Sequence, residues 1–579
     1  MSQSPRVRKL TILAQDPGVR FGGLLAFAQV EVPAEDLADG PTGYRVKVVD
    51  FDATAGVAYT ALARYSADDR QAMVDPFAPK KNSRSKRAAR AYERRLLSDP
   101  NFHAQNAYAI VMRTLARFEF ALGRRVAWGF KGHQLHVAPH AFEEANAFYS
   151  EADRALLFGY FRGQSGQIIH TCLSHDIVAH ETVHALLDGL RDRLTDPSGP
   201  DQAAFHEGFA DVVALLSIFS LPEIVAAALS KTPPKPNQKA VRPIKANLLT
   251  LEKLQESILM GLAEQTGEEL QGVRGEPLRR SVGLPPSKDY LDDPEFDESH
   301  RRGEILVAAF MRTFLEIWIQ RIEALGMFPG GNRNLDLVIE EGAKAAEHLL
   351  TIAIRALDYC PVVDITFGDY LAALLTADFE MVPDDTAHHY RRKLRDTFGS
   401  YGIMVPADRC DAETGTWAAF DPTQAIAYHK TNFESMLRDK EEVFRFIWEN
   451  RRTLKVDPRG YTECISVRPC IRQAPDGFIL RETICEYVQI ASIFGAETKA
   501  TLNINRPKGM STKTAFTVYG GGTLIFDQYG RIKYHIAQPL DDKERQSKRL
   551  AYLWENGLIG MPVDKRNRFA ILHRRRAQG

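Results

Sequence analysis

The stretch DIVAHETVHALLDGL, residues 176–190, guides the interpretation of the whole chain. It contains His180, Glu181 and His184 in the spacing HExxH. Positions four apart lie on one face of a helix, so both imidazoles can reach the same metal ion. Glu181 flanks that face and can approach a water at the metal without being a ligand. The competing interpretation is a solvated helix face whose histidines bind nothing.

A third ligand is expected on the next predicted helix. Apolar residues predict two helices, at 174–191 and 203–220, and the second contains His206, Glu207 and Asp211. Glu207 would complete the ligand set of a zinc site that keeps one position open. Asp211, four positions further on, can accept the N–H of a ligating histidine and fix its tautomer. His206 competes with Glu207, but it projects about 100° away around the helix and breaks the pairing with Asp211.

The surrounding sequence predicts an α+β fold, because helical and alternating patterns occupy different parts of the chain. Strands are predicted within residues 8–65, 134–161 and 460–540, and helices at 101–122 and 421–453. The glycine-rich run at 520–532 predicts a hairpin rather than a phosphate loop, because its glycines precede a strand. The expected parts are a β-rich N-terminal module (1–77), a basic linker with a helical end (78–100), a central domain (101–405) and a C-terminal α+β domain of unknown role (406–579).

Charge and hydropathy exclude two classes of partner. Lysine plus arginine and aspartate plus glutamate are equal, at 74 each, so no overall positive field draws the chain to nucleic acid or to an anionic membrane. No stretch is long enough to span a bilayer, and the apolar run at residues 10–14 is too short for a signal peptide. The six cysteines lack a CxxC pairing, so we expect reduced thiols and a cytoplasmic protein.

HExxH followed by ExxxD resembles the gluzincin metallopeptidases, and in particular the thermolysin family (peptidase M4-like). The likeness covers roughly residues 101–405 and implies a thermolysin-like core within the α+β fold. Asn146-Ala147-Phe148-Tyr149 resembles the family's edge strand, in which Asn146 and Ala147 would pair with the substrate backbone. Leu278-Arg279 resembles a pair whose arginine contacts the ligand glutamate and the substrate carbonyl. The segment from Ser299 to Ile305 resembles the helix start that carries a catalytic histidine, here His300.

The resemblance implies a peptidase that uses Zn²⁺ and hydrolyses peptide bonds. Glu181 is expected to take a proton from the attacking water, and His300 to stabilise the oxyanion that develops. Glu295 and Asp297 lie just upstream of His300 and could orient it or raise its pKa.

Two departures from the family pattern affect these expectations. The family's helper tyrosine is missing, since no tyrosine occurs between His184 and Glu207. Stabilisation of the oxyanion would then depend more heavily on His300. Asp176 fits one position of the family's calcium ligands, but the position eleven after Glu207 is Ile218, so calcium is not predicted.

Three alternatives to a freely active peptidase stay open. The first is a zinc-binding scaffold without turnover. The second is an aminopeptidase, which would need an acidic group for the substrate N-terminus, and Glu151 near the edge strand is the local candidate. The third is an intracellular endopeptidase whose cleft is restrained by the flanking modules or by a regulatory partner.

Overall fold

The computed structural model describes residues 7–21, 23–60, 75–79, 85–163, 166–196, 198–229, 242–257, 276–474 and 476–559. Over these residues the chain combines α-helices with β-sheets, which confirms the α+β class. The predicted pair of apolar helices and the strand-rich C-terminal part are both present.

The helices begin and end where the local sequence favours it. The second helix is capped by Asp99, has Pro100 in its first turn and ends at Gly123, whose φ of 67° suits a residue without a side chain. The helices are α1 (Lys86–Leu97), α2 (Pro100–Leu122), α3 (His175–Leu190), α4 (Pro200–Phe219), α5 (Pro222–Leu229), α6 (Glu276–Gly283), α7 (Ser299–Glu323), α8 (Leu335–Arg355), α9 (Phe367–Met381), α10 (Tyr390–Ser400), α11 (Phe433–Met436), α12 (Lys440–Glu449), α13 (Thr498–Thr501) and α14 (Lys543–Glu555).

The strands form one central sheet, one C-terminal sheet and several small pairs. The strands are β1 (Val7–Leu13), β2 (Phe27–Pro33), β3 (Val46–Val48), β4 (Phe51–Asp52), β5 (Val57–Ala58), β6 (Leu135–Glu143), β7 (Ala147–Ser150), β8 (Ala155–Arg162), β9 (Ile168–His170), β10 (Pro243–Lys245), β11 (Asn332–Asn334), β12 (Tyr461–Gln473), β13 (Ile479–Phe494), β14 (Ala515–Phe526) and β15 (Ile532–Gln538). The central sheet has the order β3-β6-β8-β7, with β9 also paired to β8. The C-terminal sheet is an antiparallel meander, β12-β13-β14-β15, and its last two strands are the hairpin predicted from the glycine-rich run.

The N-terminal strands are built into the central part of the molecule. Strand β3 pairs in parallel with β6, which places residues before and after the predicted linker in one sheet. The side-chain carbonyl of Asn106 on α2 accepts the N–H of Leu13, at 2.8 Å. One continuous hydrophobic core contains Leu10, Val46 and residues of α2, α3 and α4. The predicted boundaries at residues 77 and 100 therefore do not coincide with a break in the core.

Helix α4 lies at the centre of the central domain. All of its residues from 204 to 219 are buried, and it packs against α3 and α7. The contact with α7 is a backbone contact, since a Cβ on Gly208 would lie 2.9 Å from the carbonyl oxygen of Gly303. Among the described residues no single helix is long and apolar enough to cross a membrane, and α4 with α5 meets that criterion only as a pair bent by 80°.

The C-terminal sheet is joined to the central domain by buried ion pairs. Arg472 of β12 is fully buried and pairs with Asp358 and with Glu482, the latter at 2.6 Å. Arg124, at the end of α2, donates to both oxygens of Asp358. Burial alone would raise the pKa of Asp358, but the two guanidinium groups hold it below its ordinary value. Residues on both sides of the predicted boundary at residue 405 therefore belong to one network of charged side chains.

The helix predicted over residues 421–453 is wrong for its first part. The structure has two short helices there, α11 and α12, and Asp421 accepts the N–H of Thr423 in a turn. Asn432 and Asp439 cap the two helices with their side chains. These short polar residues compete with the helical backbone for hydrogen bonds, which the apolar periodicity did not reveal.

Replacing Arg472 is expected to weaken the attachment of the C-terminal sheet. Arg472→Met leaves two buried carboxylates with one cation fewer, and we expect the free energy of unfolding to fall by about 3 kcal/mol, because Arg124 and Lys533 still contact them. The matched control is Arg459→Met, which removes an exposed guanidinium from Asp457 and should change stability by less than about 1 kcal/mol. Urea denaturation of the full chain measures both. Equal stability of the two variants would show that the network does not hold the sheet in place.

Candidate metal centre

The predicted zinc ligands converge in the structure. Helix α3 carries His180 and His184, helix α4 carries Glu207, and all three side chains are buried. The Nε2 atoms of His180 and His184 lie 3.4 and 3.5 Å from the two carboxylate oxygens of Glu207. One ligand atom from each residue lies within 4.8 Å of the other two. Two imidazoles and a carboxylate at this separation form the donor set of a catalytic zinc site, so the residues fit the metal.

Asp211 occupies the position predicted for it. The Nδ1 atom of His180 lies 2.7 Å from Oδ1 of Asp211. Because a carboxylate accepts, His180 carries its proton on Nδ1 and its Nε2 lone pair faces Glu207. A carboxylate on the distal nitrogen also raises the basicity of a ligating histidine.

His206 lies beside His184 and does not take the place of the third ligand, which the sequence left open to it. Its Nδ1 atom lies 2.9 Å from Nδ1 of His184, on the edge of that ring opposite Nε2. His206 therefore orients His184, and Glu207 is the residue whose carboxylate faces both Nε2 atoms. Adjacent residues of a helix point in different directions. His206 therefore reaches Nδ1 of His184, while Glu207 faces the two Nε2 atoms.

Glu181 lies on α3, and its side chain faces the edge of the central sheet. Its side chain is fully buried, and its Oε2 atom accepts the N–H of Tyr149 on β7, at 3.2 Å. Strand β7 pairs with β8 on one side and, among the described residues, with no other strand. The edge strand expected from the motif at Asn146 and Ala147 therefore lies against α3. Asn146 itself is buried, and its carbonyl oxygen accepts the N–H of Gly159 within the sheet.

His300 is brought to the same site by the start of α7. Its Nε2 atom lies 4.0 Å from Oε2 of Glu207, and its Nδ1 atom lies 2.6 Å from Oε1 of Glu298. The orienting carboxylate is therefore Glu298, and the expectation that Glu295 and Asp297 orient His300 is wrong.

Glu298 also caps α7, accepting the N–H groups of His300 and Arg301. Burial alone would raise the pKa of this carboxyl, but its contacts with His300 and with these two N–H groups lower it to about 2. The side chain of an N-cap residue folds back over the first turn, so Glu298 reaches His300, two positions further on. Glu295 and Asp297 lie before the cap.

The remaining substrate-binding prediction concerns Arg279. Arg279 belongs to α6, but its side chain lies outside the described residues. Its neighbour Arg280 donates to Glu304 on α7, at 2.8 Å, which anchors α6 beside the helix that carries His300.

Comparison of the sequence with protein-family models and with curated proteins finds no match.

The hydrogen bond between Asp211 and His180 is expected to set the metal affinity. Asp211→Ala removes the acceptor that fixes the tautomer of His180, and such losses typically lower metal affinity by about 10–100-fold. Titration of zinc against a chromophoric chelator measures the change. Glu223→Gln, at an exposed carboxylate on the following helix, is the matched control and should bind zinc as the wild type does. Unchanged affinity in Asp211→Ala would show that this hydrogen bond does not support zinc binding.

Proposed function

We propose that this protein is a zinc-dependent peptidase of the gluzincin kind, an endopeptidase whose activity is restrained. The observation that carries the proposal is the convergence of His180, His184 and Glu207 with Glu181 at the edge of the same site. Bound zinc supplies a Lewis acid that polarises a carbonyl oxygen and lowers the pKa of a water. The protein's own groups then have to move protons, hold the substrate and stabilise negative charge.

Glu181 is the proton-transfer group in this proposal. Its carboxylate accepts a proton from the attacking water and later donates that proton to the leaving amine. The N–H of Tyr149 holds one oxygen of this carboxylate. This contact also couples the position of the base to the edge strand.

Strand β7 is the part of the site that would hold the substrate. An extended peptide can add to an exposed sheet edge through main-chain hydrogen bonds, which gives affinity for many sequences. Because β7 lies against α3 through Tyr149 and Glu181, a peptide on this edge passes close to the base. Substrate choice would then come from side-chain pockets along the strand.

His300 is the candidate for stabilising the oxyanion. Its Nδ1–H donates to Glu298, and its Nε2 edge faces the side of the site where Glu207 lies. The proposed role requires the doubly protonated imidazole, in which the N–H at Nε2 is the second donor and can face the developing oxygen anion. In a chain without the helper tyrosine, this donor carries a larger share of the stabilisation.

The burial of the site supports restrained activity. His180, Glu181 and His184 have no exposed surface, and Glu207 is 2% exposed. In this proposal the side chains around these groups move to admit a peptide. Such a movement is a point at which a partner or a signal can control turnover.

The C-terminal sheet offers one route for that control. Arg191, directly after α3, pairs with Glu486 of β13 at 2.7 Å, and Arg468 of β12 donates to the carbonyl of Leu190. A displacement of this sheet would therefore act on the end of the helix that carries His184. This contact supports a regulated peptidase rather than a role for the sheet that is separate from the site.

Glu181→Gln is the direct test of the proposed chemistry. We expect it to keep the fold and the zinc but to lose hydrolysis of an unfolded protein substrate, because an amide cannot accept the water's proton. Mass spectrometry of the products identifies the bonds that the wild type cleaves. Equal cleavage by the variant would exclude Glu181 as the base.

Glu151→Gln is the companion variant to Glu181→Gln. Glu151 follows β7 and is half-buried, so an aminopeptidase would use it to bind a substrate N-terminus. An endopeptidase should cleave internal bonds and keep its activity in this variant. Sequential release of N-terminal residues, lost in Glu151→Gln, would replace the endopeptidase with an aminopeptidase.

His300→Ala is expected to affect the rate rather than the binding of substrate. The loss of one oxyanion donor typically lowers kcat by about 10²–10³-fold, whereas KM changes little when the interaction forms only in the transition state. Steady-state kinetics on a quenched fluorescent peptide separates the two constants. His133→Ala, at an exposed histidine, is the control and should leave both constants unchanged. A wild-type kcat in His300→Ala would make His300 a surface residue without a catalytic role.

A further inference from the structure

A second group of metal-ligating side chains lies outside the site described above. His103 on α2, His140 on β6 and Cys172, just before α3, are all buried. Their ligand atoms lie within 4.8 Å of one another. None of these residues is shared with the cluster of His180, and no short motif connects them in the sequence.

The outer nitrogen of each histidine is held by an oxygen acceptor. Nδ1 of His140 lies 3.0 and 2.9 Å from the two carboxylate oxygens of Asp50, and Nε2 of His103 lies 2.9 Å from the carbonyl oxygen of Leu97. Oxygen acceptors require a proton on these two nitrogens. In the neutral rings, the inner nitrogens, Nε2 of His140 and Nδ1 of His103, therefore both carry lone pairs.

These two lone pairs face each other at 2.8 Å. Two acceptors at this separation repel unless a cation lies between them, and the candidates are a proton or a metal ion. The thiol of Cys172 lies within 4.8 Å of the ligand atoms of both histidines, which favours a metal ion, because a proton shared by two imidazoles needs no third donor. A metal ion would separate the nitrogens to about 3.3 Å, from two Zn–N bonds of about 2.0–2.1 Å in a tetrahedral arrangement.

Cys172 supplies the third donor. Its side chain is fully buried, and its sulfur lies within 4.8 Å of the ligand atoms of both histidines. A metal ion bound by this sulfur would displace the thiol proton. The resulting thiolate and the carboxylate of Asp50 would balance the charge of a divalent ion, which makes its burial less costly.

His170 is the candidate for a fourth ligand and lies beside His103 and His140. Its ring centroid lies 4.7 Å from that of His103 and 4.9 Å from that of His140. Its Nδ1 atom is buried and has no hydrogen-bond partner among the described residues. A site closed by four protein ligands is the structural type, whereas a catalytic site keeps one position open.

We propose that His103, His140 and Cys172, with His170 as the fourth ligand, bind a structural zinc ion. The ion ties together α2, β6, β9 and the turn that leads into α3. Because Asp50 lies between β3 and β4, the same ion fixes the N-terminal strands to the central sheet. Cys172 is eight positions before His180, so the site also fixes the start of the helix that carries the HExxH residues.

Metal content and a cobalt spectrum of the full chain test this proposal. We expect two equivalents of zinc in the wild type, and one in the double variant His180→Ala, His184→Ala. Replacement of zinc by Co²⁺ should give a thiolate-to-cobalt charge-transfer band in the near ultraviolet. The His180 cluster contains no sulfur, so this band reports on Cys172 alone and is independent of peptidase activity.

The cysteine variants assign the band. Cys172→Ser should lose it together with one equivalent of metal, whereas Cys410→Ser, at a partly exposed cysteine elsewhere, should retain both. If Cys172→Ser does not fold, the test is made with the double variant His180→Ala, His184→Ala. That variant should keep one equivalent of metal and the thiolate-to-cobalt band. One equivalent in the wild type, or two without the band, would overturn the proposal and leave His103 and His140 as a proton-sharing pair. Copper in place of zinc in the purified protein would overturn the identity of the metal.

Discussion

The close approach of α4 and α7 is the constraint on which the arrangement of the metal centre depends. A Cβ on Gly208 would lie 2.9 Å from the carbonyl oxygen of Gly303, and one on Gly303 would lie 3.2 Å from the backbone nitrogen of Gly208. Only glycines allow the two backbones to meet at this distance. Glu207 is adjacent to the first glycine and His300 lies one turn before the second, so the helix contact brings His300 to within 4.0 Å of Glu207. An alanine at either position would separate the proposed oxyanion donor from the ligands.

The two halves of the proposed ligand set could be predicted from the sequence because helical periodicity determines each pair of residues. His180 and His184, like Glu207 and Asp211, are four positions apart, and that spacing places each pair on one face without any knowledge of tertiary structure. The α+β class followed in the same way from local patterns. The structure brings His180, His184, Glu207 and Asp211 together, and whether they bind zinc stays a prediction.

The groups that orient the ligands could not be predicted in this way. Proximity in sequence does not show which of the carboxylates of Glu295, Asp297 and Glu298 caps the helix and contacts His300. The pairing of β3 with β6 joins residues about ninety positions apart, and no local pattern specifies such a register. His103, His140 and Cys172 are similarly dispersed, so their convergence is visible only in three dimensions.

The central claim is that one zinc ion lies between α3 and α4, and anomalous diffraction tests it most directly. Crystals of the full chain grown with zinc, measured on both sides of the zinc absorption edge, would locate the ion without reference to activity. We expect an anomalous peak bounded by Nε2 of His180, Nε2 of His184 and the carboxylate of Glu207. The absence of a peak between these three groups, with zinc present in excess, would contradict the account.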